Sequence, residues 1–202
     1  MKVSERVFDL AVLVVLAPVL LPLVAIVALV LLVGQGRPIL FGQTRMRGVA
    51  EPFTLWKFRT MRPDPGDAGV SGGDKADRIT AVGRVLRKTR LDELPQAWNV
   101  LRGDIRLVGP RPPLPVYVAD YPDLYRQVLQ SRPGITGLAT LVYHGAEERI
   151  LADCATAEDT DAAYRRRCIP RKARLDLIHQ ANRSACYDLV LLARTAARVL
   201  RR

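Results

Sequence analysis

The chain has 202 residues, room for one domain of ordinary size plus an appendage. Its net charge of +11 points to anionic partners, whether nucleic acid, phosphorylated substrates or an acidic membrane surface, and does not choose among them. Aromatic residues make up only 6% and form no stacking pattern, which argues against a single-stranded nucleic acid binder.

Leu10 to Val33 is an uncharged run of 24 residues, rich in Val and Leu. That is long enough to cross a hydrocarbon core of about 30 Å, and no small-residue cleavage site follows it. Pro18 and Pro22 lie near its middle, where each removes a backbone donor and crowds the preceding turn. Basic residues flank both ends: Lys2 and Arg6 on one side, Arg37, Arg45 and Arg47 on the other. A helix-break-helix that enters the bilayer and returns fits both facts slightly better than a spanning helix.

Gly34 to Pro38 ends this segment. Ile39–Phe41 and Phe53–Phe58 read as two strands of a small β-hairpin, with its turn in the polar Gln43–Gly48 stretch. Residues 63–77 carry prolines, glycines and acids with little to bury, so a mobile loop beside a site is expected. Ile79, Val82 and Leu86 start a helical pattern. Leu91, Leu94, Trp98 and Leu101 then recur at three- and four-residue spacing, which predicts one buried stripe with Trp98 in the core.

Gly109 to Pro113 is a stiff turn that fixes Arg111. Tyr117 to Leu129 predicts a helix interrupted near Pro122, and Arg132–Gly134 opens a loop. Thr160 to Ser184 is helical and basic. Beyond it, Cys186, Val190, Ala193, Ala197 and Leu200 form one helical stripe, beside Arg194, Arg198, Arg201 and Arg202. Such a helix suits a bilayer interface or ordinary packing on the domain equally well. Cys154, Cys168 and Cys186 lack the spacing of a zinc or redox motif and read as reduced thiols of a cytosolic compartment. His144 and His179 stand alone and read as structural histidines.

Glycine-rich nucleotide motifs and a serine nucleophile elbow are absent. What stands out is Asp92-Glu93 among Arg78, Arg84, Arg87, Lys88, Arg90, Arg102, Arg106 and Arg111. Cations around a carboxylate lower its pKa and keep it ionised, which suits a metal ligand or an anionic nucleophile. Pro95 supplies the competing reading, in which the pair merely caps the N-terminus of a helix.

Several motifs occur in order: Lys57-Phe58-Arg59-Thr60-Met61, Arg90-Leu91-Asp92-Glu93-Leu94-Pro95-Gln96, Val108-Gly109-Pro110-Arg111-Pro112, and Arg132-Pro133-Gly134-Ile135-Thr136-Gly137-Leu138. The chain thereby resembles the bacterial sugar transferase family, monotopic phosphoglycosyl transferases acting on polyprenyl phosphate. The similarity runs from about Lys2 to Leu138 and continues weakly to the C-terminus. It implies a mainly α protein with a small β-hairpin (α+β), a re-entrant membrane helix over residues 1–36 broken at Pro18, and a cytosolic catalytic domain over 37–202. Within that domain fall the mobile loop 63–77 and a C-terminal interfacial helix over 184–202.

The implied reaction moves a sugar-1-phosphate from a UDP-sugar to undecaprenyl phosphate and releases UMP, the first membrane step of a glycan. Asp92 would be the nucleophile, and Glu93 would place Mg²⁺ or help activate the acceptor. Asp92 and Glu93 would be the metal ligands. Lys57, Arg59, Arg87 and Arg111 would hold phosphate oxygens or shape the site. The implied partners are a UDP-sugar, the polyprenyl phosphate lipid and the bacterial inner membrane, on its cytoplasmic face, with no nucleic acid and the oligomeric state open. The alternative is a basic membrane-surface scaffold without catalysis.

Overall fold

A computed structural model describes residues 2–64, 70 and 72–200. Helix α1 runs from Val3 to Gln35. Strands β1 (Leu40–Gly48) and β2 (Glu51–Phe58) pair as an antiparallel hairpin. Next come α2 (Ala81–Thr89), α3 (Gln96–Arg102) and strand β3 (Arg106–Val108). Helices α4 (Pro115–Asp120) and α5 (Pro122–Val128) precede strand β4 (Gly134–Thr136). The chain closes with α6 (Leu138–Ala152), α7 (Ala157–Ala163), α8 (Ile169–Ala181) and α9 (Ala185–Leu200). The protein is mainly helical with small sheets.

Helix α1 is apolar on nearly every side, with a mean hydropathy of 3.0 over its best window. It is long and apolar enough to cross a bilayer. Pro18 and Pro22 lie inside it without ending it, so the expected break is written as one continuous helix that lacks two backbone donors. Its two ends are tied to the same body. At the start, Arg6 donates to the carbonyls of Val100 and Leu101, while Asp9 and Glu5 meet Arg106 at 2.8 and 3.4 Å. At the end, the Arg59 guanidinium donates to the Gln35 and Gly36 carbonyls at 2.8 and 3.0 Å.

Arg106 is thus not a site base. It is 2% exposed and reaches Asp9, Glu5 and Asp188, which joins α1, β3 and α9 through one buried guanidinium. His179 adds a 2.9 Å contact to Asp188, which is the structural role expected of it. Around this knot, Leu13 packs on Leu55, Val100, Ile105, Val108 and Leu191. The second half of α1 seats Val27 and Leu31 on Phe58 and Leu86. A third cluster, under α4 to α8, centres on Tyr117, Tyr125, Tyr164, Cys168 and Ile169.

Four expectations change. The Gln43–Arg47 stretch is strand, not turn, because Thr44, Arg45 and Met46 continue the ladder to Thr54, Phe53 and Pro52. The segment opened by Arg132 also holds strand β4, which pairs in parallel with β3. Residues 73–77 of the expected loop belong to a 3-10 turn, Gly73–Arg78, in which Lys75 is buried, whereas 65–69 and 71 lie outside the described residues. Trp98 is 56% exposed and Leu101 47%, so the second half of the predicted stripe faces outward, while Leu91 and Leu94 pack half-buried against Phe58 and Leu86. In the same segment the buried residues are Asp92, Glu93, Gln96, Asn99 and Val100. On α9, Cys186, Val190, Ala193 and Ala197 are exposed while Leu191 and Asp188 seat the helix on the body. Arg201 and Arg202 of that stripe lie outside the described residues.

Candidate active site

The hairpin carries Lys57 and Arg59 at the end of β2, and α2 is set against it by a close approach. Thr80 caps α2 by accepting from the Gly83 amide at 2.9 Å. A Cβ on Gly83 would stand 2.1 Å from the Thr60 carbonyl oxygen, so only glycine lets α2 lie this near β2. α2 ends at Arg90, the one non-glycine residue with positive φ among those described (57°). A left-handed residue with a side chain is strained by about 1–3 kcal/mol. The gain is a sharp turn that brings the Leu91–Glu93 3-10 turn under Lys57. Neither carboxylate caps α3, whose N-cap is Pro95 without a side-chain bond. The capping reading therefore fails.

The two acids are held differently. Glu93 meets Arg90 at 2.6 Å and Arg111 at 2.9 Å, with Lys57 at 3.7 Å. Burial opposes its charge, yet Arg111, Arg90 and Lys57 outweigh burial and hold it well below the usual carboxylate range. Asp92 makes no direct ion pair or hydrogen bond among the described residues. Burial and the neighbouring Glu93 charge push its pKa up, against the pull of Lys57, Arg87 and Arg111. The sequence expectation that cations lower the pKa thus holds for Glu93 and is reversed at Asp92. Its physical reason is that one residue takes the direct pairs and the other takes the repulsion.

Both acids line a cavity of about 770 Å³. Lys57, Arg59, Arg87 and Arg111 line it as well, so all six expected side chains converge. Their tasks differ. Arg59 spends its guanidinium on the end of α1 and couples that helix to the cavity wall. Arg111 is committed to Glu93. Arg87 has no ion-pair partner among the described residues and is available to a ligand. Burial, then the Arg111 charge, depress the Lys57 ammonium to about 8.

The cavity also includes groups that the sequence reading did not select. Arg45, from β1, donates to the Pro112 carbonyl at 3.0 Å, and burial lowers its pKa to about 10. His144 lines the cavity beside Glu148, with its pKa pushed down to about 4 by burial, against Glu148. It is neutral at neutral pH. Glu147, Lys172 and Asp176 line it too. Only Arg45 lay near a motif; the others form two helix-face pairs, His144 with Glu147 on α6 and Lys172 with Asp176 on α8, that belong to no motif.

Among the described residues no cluster of three or more His, Cys, Asp or Glu could hold a metal ion. A metal here would need ligand oxygens in addition to protein ones. Asp92 has its oxygens open to the cavity, whereas both Glu93 oxygens are engaged by cations.

The fold and the cavity define a class: a helical body that seats a long apolar helix beside a cation-lined pocket in which Asp92 is open. The family model for bacterial sugar transferase matches residues 1–202, and the chain belongs to that family. It is 44% identical over 142 residues to the UDP-glucose:undecaprenyl-phosphate glucose-1-phosphate transferase of Caulobacter vibrioides, covering 67% of this chain and 52% of that protein. It is 31% identical to the UDP-N-acetylgalactosamine-undecaprenyl-phosphate N-acetylgalactosaminephosphotransferase of Aeromonas hydrophila, over 97% of this chain and 43% of the relative. The exopolysaccharide production protein PSS of Rhizobium leguminosarum is 41% identical over 69% of this chain and 74% of its own length. The chain spans about half the length of the first two relatives.

Proposed function

We propose that the chain transfers a sugar-1-phosphate from a UDP-sugar to undecaprenyl phosphate through a covalent aspartyl intermediate. The observation that carries this reading is Asp92, an unpaired carboxylate facing a cavity lined by Lys57, Arg87 and Arg111. An Asp92 oxygen attacks the phosphorus that bears the sugar. The bond from that phosphorus to the bridging oxygen breaks, and UMP leaves with the electron pair. A lipid phosphate oxygen then attacks the same phosphorus, frees Asp92 and yields the lipid diphospho-sugar. A raised pKa favours this role, since a less stabilised carboxylate is the better nucleophile.

Glu93 keeps Arg90, Arg111 and Lys57 in place and leaves Asp92 free. Lys57, Arg87 and Arg111 face the charge that grows on the departing phosphate. Mg²⁺ fits when held by Asp92 and the substrate's own phosphate oxygens, the usual coordination of that ion by few carboxylates. Bound there, it would neutralise diphosphate charge during the attack. Glu93 is less suited as a ligand than as a clamp, because its oxygens already serve cations.

The membrane reading rests on α1. Both of its ends bind one body, which suits attachment from one face of the bilayer better than a span whose ends lie on opposite sides. α1 itself is one continuous helix and not a broken one. Pro18 and Pro22 sit near its midpoint. Exposed Trp98 and Leu101 on α3, and the exposed stripe of α9, add apolar surface for the interface. We place the body on the cytoplasmic face of the bacterial inner membrane, at the first membrane step of a surface glycan. A bare scaffold would have no use for a cavity of this size.

The test is UMP release by the purified chain in detergent, from a panel of UDP-sugars with undecaprenyl phosphate and Mg²⁺. Release is expected for one or more donors, together with a mass increase that matches one phospho-sugar. Asp92→Asn should lower turnover by about 10⁴-fold or more while remaining folded. An active Asp92→Asn variant removes the nucleophile assignment; no release from any donor removes the transfer reading.

A further inference from the structure

Part of the cavity lining differs from the basic cluster around Asp92. Its walls are Tyr125 and Tyr164, and its polar groups are Lys172, Glu147 and Asp176. None of these belongs to the motifs around Asp92. Tyr164 opens a π-helical turn, Tyr164–Cys168, between α7 and α8. Such one-turn insertions are rare and recur at functional sites, where they re-aim a side chain.

The charges here balance internally. The Lys172 ammonium meets both Glu147 oxygens, at 2.9 and 3.0 Å, and the Tyr164 hydroxyl at 3.2 Å. Its three donors are therefore used, and it also lies 5.0 Å from the centre of the Tyr164 ring. Asp176 is different. It is 8% exposed, lines the cavity and has the Ala139 amide as its one hydrogen-bond partner and no ion pair among the described residues. Burial pushes its pKa up to about 7, against Lys172, His179 and the Ala139 amide. A buried carboxylate with open acceptor sites is costly unless a ligand supplies donors.

What ligand supplies donors without charge? A phosphate offers acceptors and negative charge, which Asp176 and Glu147 would repel. A uracil ring offers one N–H and two carbonyls, and the Lys172 ammonium that could donate to those carbonyls is already committed. A sugar ring offers several hydroxyl donors on one edge and an apolar C–H face, which suits an aromatic wall. The chamber also adjoins the phosphate region. Arg111, tied to Glu93, lies close enough to Glu147 for the two charges to act on each other.

We propose that this chamber receives the sugar ring of the donor, with Asp176 accepting its hydroxyls, the Lys172–Glu147 pair bounding it and Tyr164 or Tyr125 facing its C–H surface. The assignment rests on the reading of the cavity as a UDP-sugar site. It makes Asp176 a specificity residue, set apart from the reacting atoms at Asp92.

The experiment compares binding of UDP, UDP-glucose and UDP-N-acetylgalactosamine to the full chain in detergent, without lipid acceptor. One of the two sugar nucleotides is expected to bind more tightly than UDP. Asp176→Ala should weaken that sugar nucleotide about tenfold while leaving UDP within about twofold, since only the sugar reaches the chamber. Unchanged UDP affinity also reports an intact fold. If Asp176→Ala does not fold, Asp176→Asn and Tyr164→Phe carry the same comparison, with smaller losses confined to the sugar nucleotide.

Equal weakening of UDP and sugar nucleotide, no weakening of either, or a wild type that binds neither sugar nucleotide better than UDP overturns the chamber. UMP release by the wild type is read in parallel. Release without the binding split removes the chamber and keeps the transfer reaction; the split without release does the reverse.

Discussion

The segment from Leu91 to Arg102 has two faces built from the same dozen residues, and they are reversed relative to a soluble protein. Inward lie Asp92, Glu93, Gln96 and Asn99, all at most 9% exposed. Outward lie Trp98 and Leu101, about half exposed. Two of these polar side chains are satisfied from inside, while the Gln96 amide nitrogen is buried without a partner. Asn99 donates to the Thr54 carbonyl at 2.7 Å and to Asp104 at 3.1 Å, accepts from the Trp56 amide at 3.0 Å, and Glu93 collects its cations. Of the apolar stripe, Leu91 and Leu94 pack against Phe58 and Leu86, and Trp98 and Leu101 are left exposed. A helix with its charges indoors and its tryptophan outdoors suits a body whose outer solvent is partly lipid.

The largest effects that would break this contrast are at the two acids. Asp92→Asn and Glu93→Gln should both remove activity, the second by about 10²–10³-fold in kcat/KM. Their stabilities should move in opposite directions. Glu93→Gln leaves Arg90, Arg111 and Lys57 facing one another without a counter-charge, so its thermal midpoint should fall. Asp92→Asn deletes a buried charge whose pKa is already raised, so its midpoint should hold or rise. Thermal unfolding of the pair in one detergent decides the matter. A midpoint that falls for Asp92→Asn and holds for Glu93→Gln would reverse their division of labour.

A smaller effect lies in pH. Lys57 has an ordinary value of 10.5 that is depressed to about 8 in the fold. Its charge faces the phosphate region, so kcat/KM should decline as pH rises through about 8 and be roughly tenfold lower at pH 9. The stability term has the opposite sign. Between about 8 and 10.5 the unfolded chain holds a proton that the folded one has lost, so the Lys57 contribution favours folding as pH rises. Activity that falls while the midpoint does not is the expected signature, and Lys57→Met should flatten the activity limb. A limb that persists in that variant assigns the titration to another group.

Much of this was legible in the sequence, for reasons that can be named. Helix α1 is visible because twenty-odd uncharged residues have few alternatives. The hairpin shows through its apolar runs, and Asp92-Glu93 through their contrast with the surrounding bases. The Leu91–Leu101 spacing was also visible, but periodicity reports a face and not its direction. Only an assumption of water outside placed Trp98 in the core. Strands β3 and β4 are three residues each and carry no pattern of their own. Their parallel pairing depends on β3 and β4 being brought together across α4 and α5. The chamber was illegible for a similar reason: Glu147, Lys172 and Asp176 become neighbours only when α6 packs on α8. Arg106 looked like one more site base, and its partner Asp9 lies 97 residues away.

The outward face offers the mildest and most direct test of the inversion. If Trp98 is a lipid anchor, Trp98→Ser should weaken partition of the protein from detergent into vesicles of anionic lipid by about three- to tenfold, less than full burial of such a side chain would give. Its thermal midpoint in micelles should hold, because an exposed side chain removes little packing. If it is instead a core residue, the same substitution should leave partition unchanged and lower the midpoint by several degrees. The two outcomes exclude each other. The result depends only on which solvent that face meets, because Trp98 touches neither Asp92 nor the cations around Glu93.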